Sequence, residues 1–365
     1  MIMPVTVTTA RLPWAPSAKS KVDMTALCED SFMRILVIGG TQFVGKHFVE
    51  EAVRRGHDVV LFNRGSKPAP AGVERVITGD RNTDLARLGD GQWDAVVDTS
   101  AYFPRQVREA ASFLEAKVER YLFISTISVY ADQTAPNQDE GGGLSRLDDE
   151  SADEVTGEVT GETYGPLKVA AEEALAAVYP ADRSLVVRPG IIVGPDDPTD
   201  RFNYWPIRVA KGGEVLAPGG PDLPMQWIDA RDLARWLVAS LEDELAGTFN
   251  AVSEAGRFTL GQVLDASLEA SGSNAQITWV DEEFLLEQGV QPFADLPLWL
   301  PDPMANMWTV DASKARASGL RIGPVAETVE ATLAWQQARG APDLKFGMSA
   351  EREAAVLKAW RARGD

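Results

Sequence analysis

An unbroken apolar run, Ile35 to Ile38, stops at the paired glycines Gly39 and Gly40, and this junction constrains the chain more than any other stretch. A short branched run with no polar interruption is what a central strand covered on both faces requires. The glycines then permit a turn that a Cβ would strain, and Gly45 lets the following helix lie close to the strand. From Phe43 to Arg55 apolar residues recur at helical spacing (Phe43, Val44, Phe48, Ala52, Val53), and Gly56 closes the segment. Val59 to Phe62 completes a strand-helix-strand unit. Unpaired amides at the helix start, with the helix dipole, suit a pyrophosphate, so the unit points to a nucleotide cofactor. The plainer alternative is a glycine-rich strand-to-helix turn that holds no ligand.

In the usual fingerprint a middle glycine stands where this chain has Gln42, between Gly39 and Gly45. An acidic residue at the end of the second strand ordinarily binds the ribose 2'-hydroxyl. Here that place reads Asn63-Arg64-Gly65, with no carboxylate. A cation suits a 2'-phosphate, which favours NADP(H) and leaves NAD(H) open. The alternative is that Arg64 is a solvated loop charge.

With 35 basic and 54 acidic residues the chain carries a formal charge of −19. It repels phosphate backbones, and nucleic acid is not an expected partner. Any anionic cofactor must be held by local amides and a few cations. The single cysteine, Cys28, excludes an internal disulfide and fits a reducing, cytoplasmic setting. No run approaches the roughly 18 apolar residues of a membrane helix, so the expected partner is a small-molecule substrate, with a homodimer left open. Residues 1–32, rich in Thr, Pro, Ala and Ser, read as a flexible N-terminal extension.

Downstream, apolar strands alternate with helical segments. Strands are expected at 73–78, 93–99, 120–125 and 184–187, and helices at 106–116 and 163–178. This is the pattern of an α/β fold, a doubly wound parallel sheet of the Rossmann type with helices on both faces. The dinucleotide-binding domain is expected over 33–193, with a helix from Gln226 to Leu241 and a strand at 248–251 returning to it. Residues 194–345, where Pro, Asp, Trp and Gly become frequent, are expected to form mainly a smaller substrate lobe, followed by a C-terminal helix within 346–365. Trp205, Trp227 and Trp299 could line an aromatic pocket there, although core packing is the stronger expectation. The acidic, glycine-containing stretch 139–163 reads as a mobile surface loop, placed where a substrate lid could sit.

Tyr164-Gly-Pro-Leu-Lys168 sets a phenol and an ammonium four apart, on one face if helical. Pro166 is tolerated in a first turn. A nearby cation favours the phenolate and brings a tyrosine, ordinarily near pKa 10, toward useful proton transfer. Ahead of it, Phe123 to Tyr130 places Ser125, Thr126 and Ser128 at a strand end, in a fold whose ligands bind at carboxyl ends of strands. Ser125 and Ser128 are expected to satisfy backbone groups in a turn.

Together these elements resemble the extended short-chain dehydrogenase/reductase superfamily, in its NAD-dependent epimerase/dehydratase group. The matching elements are the glycine turn 39–45, Gly79-Asp80, the strand at 93–101, Ser125-Thr126 with Val129-Tyr130, Tyr164 with Lys168, and Arg188-Pro189-Gly190 through Gly194-Pro195. The resemblance implies that Thr126, Tyr164 and Lys168 are catalytic, Tyr164 as acid/base and Lys168 binding the nicotinamide ribose while lowering the tyrosine pKa. It implies that Gly39, Thr41, Gln42, Phe43, Val44 and Gly45 line the pyrophosphate. It places Asn63 and Arg64 at the adenosine ribose, Asp80 and Arg81 near adenine, and Thr99, Ser100 and Pro189 along the nicotinamide half. The reaction implied is hydride exchange between a substrate carbon and nicotinamide, without a metal. Two histidines, His47 and His57, and one cysteine leave no zinc site or Cys/His nucleophile, and both histidines read as structural or exposed.

Departures from the group narrow the substrate. Ile127 and Ser128 stand where dehydratases carry acidic residues. Met225 stands where sugar-nucleotide epimerases carry a diphosphate-binding arginine, unless Arg201 or Arg231 substitutes. The expected function is an NAD(P)-dependent oxidoreductase acting on a carbonyl or secondary alcohol of a small polyhydroxylated or natural-product substrate. The alternative enzyme is a sugar-type epimerase that retains its NAD. The turn sequence, Asn63-Arg64-Gly65 and Asp197 to Trp205 also resemble a branch with plastid RNA-binding relatives, whose non-catalytic role the charge and the intact Thr126, Tyr164 and Lys168 oppose.

Overall fold

Strands and helices alternate as the two hydrophobic periods require. The computed structural model describes residues 32–147, 158–302 and 304–363. It begins with β1 (Arg34–Ile38), α1 (Phe43–Arg54), β2 (Asp58–Asn63), β3 (Arg75–Thr78), β4 (Trp93–Asp98), α2 (Pro104–Leu114), β5 (Val118–Ile124), α3 (Gly161–Ala176) and β6 (Ser184–Pro189). There follow β7 (Ile191–Val193), α4 (Tyr204–Ala210), β8 (Glu214–Pro218), β9 (Pro224–Met225), β10 (Trp227–Asp229), α5 (Ala230–Glu242) and β11 (Gly247–Ala251). The remainder comprises β12 (Phe258–Thr259), α6 (Leu260–Ser271), β13 (Gln276–Val280), α7 (Glu282–Glu287), α8 (Ser313–Ala317), α9 (Val325–Ala338) and α10 (Ala350–Arg363). Residues 1–31 of the N-terminal extension, Cys28 among them, and residues 148–157 of the acidic loop lie outside the described residues.

Seven parallel strands form the central sheet in the order β3-β2-β1-β4-β5-β6-β11. Side chains alternate across it: Ile35 and Val37 pack with Phe48 of α1 and Leu233 of α5, whereas Leu36 and Ile38 pack with Val107 of α2 and Leu175 of α3. Burial on both faces explains the near-absence of polar residues in β1. The chain leaves β1 toward β2 on one side and returns as β4 on the other, and Ile38 is level with both Phe62 and Asp98. A crevice at the carboxyl ends follows from this reversal.

The smaller lobe packs around Trp205, Trp227 and Trp299, each no more than 1% exposed. Trp227 stacks on Phe258 with ring centroids 4.1 Å apart. These three tryptophans are core, and none forms an aromatic pocket wall. Among the described residues no helix is long and apolar enough to cross a membrane.

Two segments differ from their sequence expectation. Trp227–Asp229, read as the start of a helix, is a strand paired with β7, because Asp229 caps α5 by accepting the Arg231 amide at 2.8 Å. Residues 139–147, read as part of a mobile loop, are tied down. Glu140 Oε1 accepts the Asn250 amide at 2.7 Å, the Glu140 carbonyl accepts from Arg188, and Leu144 bridges Tyr130.

A buried ion pair locks the segment after β3 to β4. The Arg81 guanidinium donates to both Asp98 oxygens at 2.7 Å, and the Tyr121 hydroxyl donates to Asp98 at 2.9 Å. Burial alone would raise the Asp98 pKa, yet Arg81 holds it below the usual carboxylate range. Arg81→Met leaves that carboxylate buried and unpaired, and urea denaturation should show a loss of about 3–5 kcal/mol. A loss under about 1 kcal/mol, the range of an exposed pair, would contradict the assignment.

Candidate active site

The turn after β1 is built for close approach. Gly39 has φ +107° and Gly40 φ +83°, in the region that favours glycine. A Cβ on Gly39 would lie 2.6 Å from Thr99 Oγ1, and one on Gly45 would lie 2.9 Å from the same atom and 3.0 Å from Gly40 Cα. Gln42 has an extended backbone, φ −141° and ψ 145°, which any residue adopts, and this is why a side chain is tolerated where the fingerprint has a glycine. Gln42 supplies no side-chain cap to α1, so the first amides of that helix have no side-chain partner at that position. Phe43 enters the helix at φ +39°, a strained value for a residue with a side chain.

A cleft of about 280 Å³ opens above this turn, at the β1/β4 reversal. Gly39, Thr41, Gln42, Asn63, Arg64, Asp80, Arg81 and Ser100 all line it. Phe43 instead borders a neighbouring depression shared with Thr41 and Gln42, and Val44 is packed in the core. Gly45 and Thr99 face each other beneath the turn, where the Thr99 hydroxyl donates to the Ile38 carbonyl at 3.1 Å. Pro189 is buried at the end of β6, level with Ala251. Asn63 fastens the turn, donating to the Gly39 carbonyl at 3.0 Å and accepting the Gly65 amide at 2.9 Å. Asp80 accepts from the amide and the side chain of Asn82. Arg64 is exposed at the rim and makes no hydrogen bond or ion pair among the described residues. The Arg81 guanidinium is committed to Asp98, Ser100 and the Gln106 carbonyl, so Arg81 shapes the cleft wall. Tyr102, Asn82 and Gln106 also line the cleft and went unnoticed in the sequence. For Tyr102 the available signal was its place just beyond β4.

Thr126 follows β5, its Oγ1 accepting the Ser128 amide and donating to the Ser128 hydroxyl, both at 3.1 Å. Tyr164 lies in the first turn of α3, which Thr160 caps through the Thr163 amide. Gly165 permits the approach of α3 to this turn, since a Cβ there would sit 2.0 Å from the Ser128 carbonyl oxygen. Burial and the Tyr102 phenol, whose ring centroid is 6.2 Å away, raise the Tyr164 pKa. A hydrogen bond from Thr126 and the charge of Arg201 offset this in part.

Lys168 is 5% exposed, and its ammonium donates to the carbonyls of Ala101 at 2.9 Å and Ile124 at 2.6 Å, at the ends of β4 and β5. Burial pulls its pKa down to about 8, against the charges of Asp98 and Glu172. The expectation that Lys168 lowers the Tyr164 pKa is therefore not met here. The ammonium is turned to backbone carbonyls, and desolvation of the phenol dominates.

Glu172, one turn beyond Lys168, is a buried hub that the sequence reading missed. It accepts from Ser125 Oγ at 2.5 Å and from Arg188 Nε and Nη2 at 3.0 and 2.7 Å. Ser125 thus serves a side chain, where a turn hydrogen bond was expected. The i,i+4 spacing from Lys168 was the signal available. Both histidines are buried and structural: His47 Nε2 meets the Pro195 carbonyl and His57 Nε2 meets Glu242, each at 3.0 Å. Met225 is 1% exposed in the lobe core, and Arg231 pairs with Asp229 at 2.7 Å.

Residues 35–251 match the NAD dependent epimerase/dehydratase family. The chain belongs to that family. Epimerase family protein SDR39U1 of Bos taurus is 29% identical over 255 residues, which cover 67% of this chain and 83% of that protein. The chloroplast stem-loop binding protein of 41 kDa b from Arabidopsis thaliana is 29% identical over 120 residues, covering 27% of this chain and 30% of that protein. Among solved structures, UDP-glucuronic acid 4-epimerase from Bacillus cereus in complex with NAD superposes with a TM-score of 0.59 at 18% identity, covering 85% of this chain and 99% of that one. At such identity the likeness shows the shared fold, the doubly wound sheet expected from the sequence.

The buried lysine makes this epimerase/dehydratase family member's stability depend on pH. The ordinary lysine pKa is 10.5, and Lys168 is at about 8 in the folded chain, so folding disfavours its ammonium. The penalty is full below about pH 8 and is relieved as pH rises toward 10.5, because the unfolded chain then holds a proton that the folded chain has released. Over that window, urea denaturation should show wild type gaining roughly 3 kcal/mol relative to Lys168→Met, at about 1.36 kcal/mol per unit. Parallel pH profiles for the two proteins would contradict this.

Proposed function

We propose that this family member is a nicotinamide-dependent oxidoreductase that moves hydride to or from the carbinol carbon of a small polyhydroxylated or natural-product substrate. The observation that supports the reading is the placing of Thr126 just after β5, Tyr164 in the first turn of α3 with Thr126 acting on its phenol, and Lys168 one turn further along, bonded to the Ala101 and Ile124 carbonyls.

The residues fit a dinucleotide. A Cβ at Gly39 or Gly45 would fill the cradle, α1 lacks a side-chain cap, and the cleft runs from the turn past Asn63 to Asp80. A bound nicotinamide supplies the hydride donor or acceptor. The remaining chemistry belongs to the chain. Tyr164, with its pKa raised, is protonated at neutral pH and donates its proton to the substrate oxygen in the reducing direction. Thr126 holds the same oxygen through its hydroxyl. Lys168, one turn further along α3 and still mostly protonated at pH 7, would bind the nicotinamide ribose. Arg64, at a strand end without a carboxylate, favours NADP(H) over NAD(H). The lobe around Trp205, Trp227 and Trp299 is the substrate-binding part in this reading, and the excess of acidic residues weighs against nucleic acid as a partner.

The relatives named epimerases support a second reading, an epimerase that retains NAD and returns the hydride. Against a nucleotide-sugar substrate stand the burial of Met225 and the internal pairing of Arg231, which leave neither as a diphosphate clamp. A net change in nicotinamide absorbance during turnover distinguishes the oxidoreductase.

Tyr164→Phe should lower turnover about 10²–10⁴-fold on whichever alcohol or carbonyl compound the wild type accepts, with cofactor affinity unchanged. A variant with wild-type turnover would remove Tyr164 from the chemistry. In fluorescence titrations Arg64→Ala should weaken NADPH binding about tenfold and leave NADH nearly unaffected. Equal losses for both would refute the NADP(H) preference.

A further inference from the structure

One buried ion pair meets the turn that carries Thr126 at both of its ends. Glu172 of α3 and Arg188 of β6 are 8% and 4% exposed, and the guanidinium donates through Nε and Nη2 to the carboxylate at 3.0 and 2.7 Å. What hydrogen-bonding capacity the pair has left goes mainly to one segment. Glu172 Oε1 also accepts from Ser125 Oγ at 2.5 Å, and Arg188 Nη1 donates to the Tyr130 hydroxyl at 3.4 Å and to the Glu140 carbonyl at 3.3 Å. Tyr130 is fixed further. Its hydroxyl donates to Asn250 Oδ1 at 2.6 Å, its ring lies beneath the Arg188 guanidinium, 5.3 Å from the centroid, and the carbonyls of Gln138 and Asp311 orient the Asn250 amide. Thr126 lies between the two anchors, directly after Ser125. The intervening chain has little slack: Thr126 Oγ1 accepts the Ser128 amide at 3.1 Å, and the Tyr130 amide donates to the Ile127 carbonyl at 3.2 Å.

The same pair sits on the helix that carries Tyr164. Gly165, Lys168 and Glu172 share one face of α3, and that face lies along residues 124–128. Lys168 Nζ donates to the Ile124 carbonyl at 2.6 Å, Glu172 accepts from Ser125, and Gly165 is packed so closely on the Ser128 carbonyl oxygen that a Cβ would lie 2.0 Å from it. A buried ion pair adds little net stability over apolar residues of the same volume. An apolar pair would fill the space between α3 and β6 equally well, but it would hold neither Ser125 nor Tyr130 by a directed bond. We infer that the Glu172–Arg188 pair positions the reacting groups: it holds both ends of the Ser125–Tyr130 turn and so fixes the Thr126 hydroxyl relative to the α3 face that carries Tyr164 and Lys168. Both members are buried and act through Thr126, so they are positioning residues. The inference rests on the reading of Thr126 and Tyr164 as the groups that handle the substrate oxygen.

Fluorine NMR of the full chain labelled with 3-fluorotyrosine tests this without a substrate. The chain has six tyrosines, and the Tyr164 and Tyr204 resonances are assigned by their loss in Tyr164→Phe and Tyr204→Phe. Thr126→Ala supplies the reference shift of the Tyr164 signal for a phenol without its hydroxyl neighbour. Ser125→Ala and Glu172→Gln should each move Tyr164 in that same direction, while Tyr204, in the core of the smaller lobe, stays in place. In the Thr126→Ala background neither should move Tyr164 further, because the effect runs through Thr126. Glu172→Asp, which keeps the charge but is one methylene too short to reach Ser125 and Arg188 together, should act as Glu172→Gln does. A Tyr164 signal that stays in place in Thr126→Ala, or in both Ser125→Ala and Glu172→Gln, would overturn the inference. Equal shifts with and without Thr126, or a wild-type spectrum for Glu172→Asp, would also overturn it, since the charge would then act directly. Ser125→Ala leaves the ion pair whole and carries the test if Glu172→Gln does not fold. Failure here is separable from failure of the catalytic reading. An inactive Tyr164→Phe with an unmoved Tyr164 signal removes only the positioning role, whereas an active Tyr164→Phe with shifts that depend on Thr126 removes only the acid/base assignment.

Discussion

The close approach of Thr99 to the glycine turn is the constraint on which the remaining architecture depends. Its hydroxyl lies only 2.6 and 2.9 Å from where a Cβ on Gly39 and on Gly45 would be, so β4 and α1 can come together over the end of β1 only because both positions lack side chains. That contact sets where α1 begins, and with it where the uncapped amides point. It also sets the height of the β4 end, and therefore of the Ala101 carbonyl that receives Lys168. The cleft wall and the position of Lys168 on α3 thus both depend on this packing contact.

Beneath the cleft the charges are neutralised in pairs. Asp98 is held by Arg81 and Tyr121, and Glu172 by Arg188 and Ser125. Such pairs contribute little net stability when whole, and removing one partner is expensive. Their positional effect is clearer. Asp98 ties the segment after β3 to the cleft, while Glu172 ties α3, which carries Tyr164 and Lys168, to β5 and β6. Arg64, at the cleft rim beside β2, makes no ion pair among the described residues. A strongly acidic protein can in this way offer an anionic cofactor a local cation without a basic surface.

Much of this was legible in the sequence because it is local. The unbroken apolar run of β1 and the helical spacing of 43–55 identify the first unit, and the four-residue interval from Tyr164 to Lys168 survives as neighbouring positions on α3. What was not legible depends on partners distant in the chain. The pairing of Arg81 with Asp98 is one such case. The direction of the Tyr164 pKa follows from desolvation, which spacing does not encode. Trp227–Asp229 has helical neighbours but pairs with β7, and the rings that meet Arg201 arrive from Phe293 and Phe346 in separate loops.

The central claim is that the glycine turn, Tyr164 and Lys168 frame one nicotinamide site. A crystal structure of the protein grown with NADPH tests it most directly. The account predicts the pyrophosphate over residues 39–45, the adenosine ribose beside Asn63 and Arg64, and the nicotinamide ring between Tyr164 and Thr99. NADPH bound elsewhere, or a nicotinamide ring pointing away from the Tyr164 hydroxyl, would contradict it.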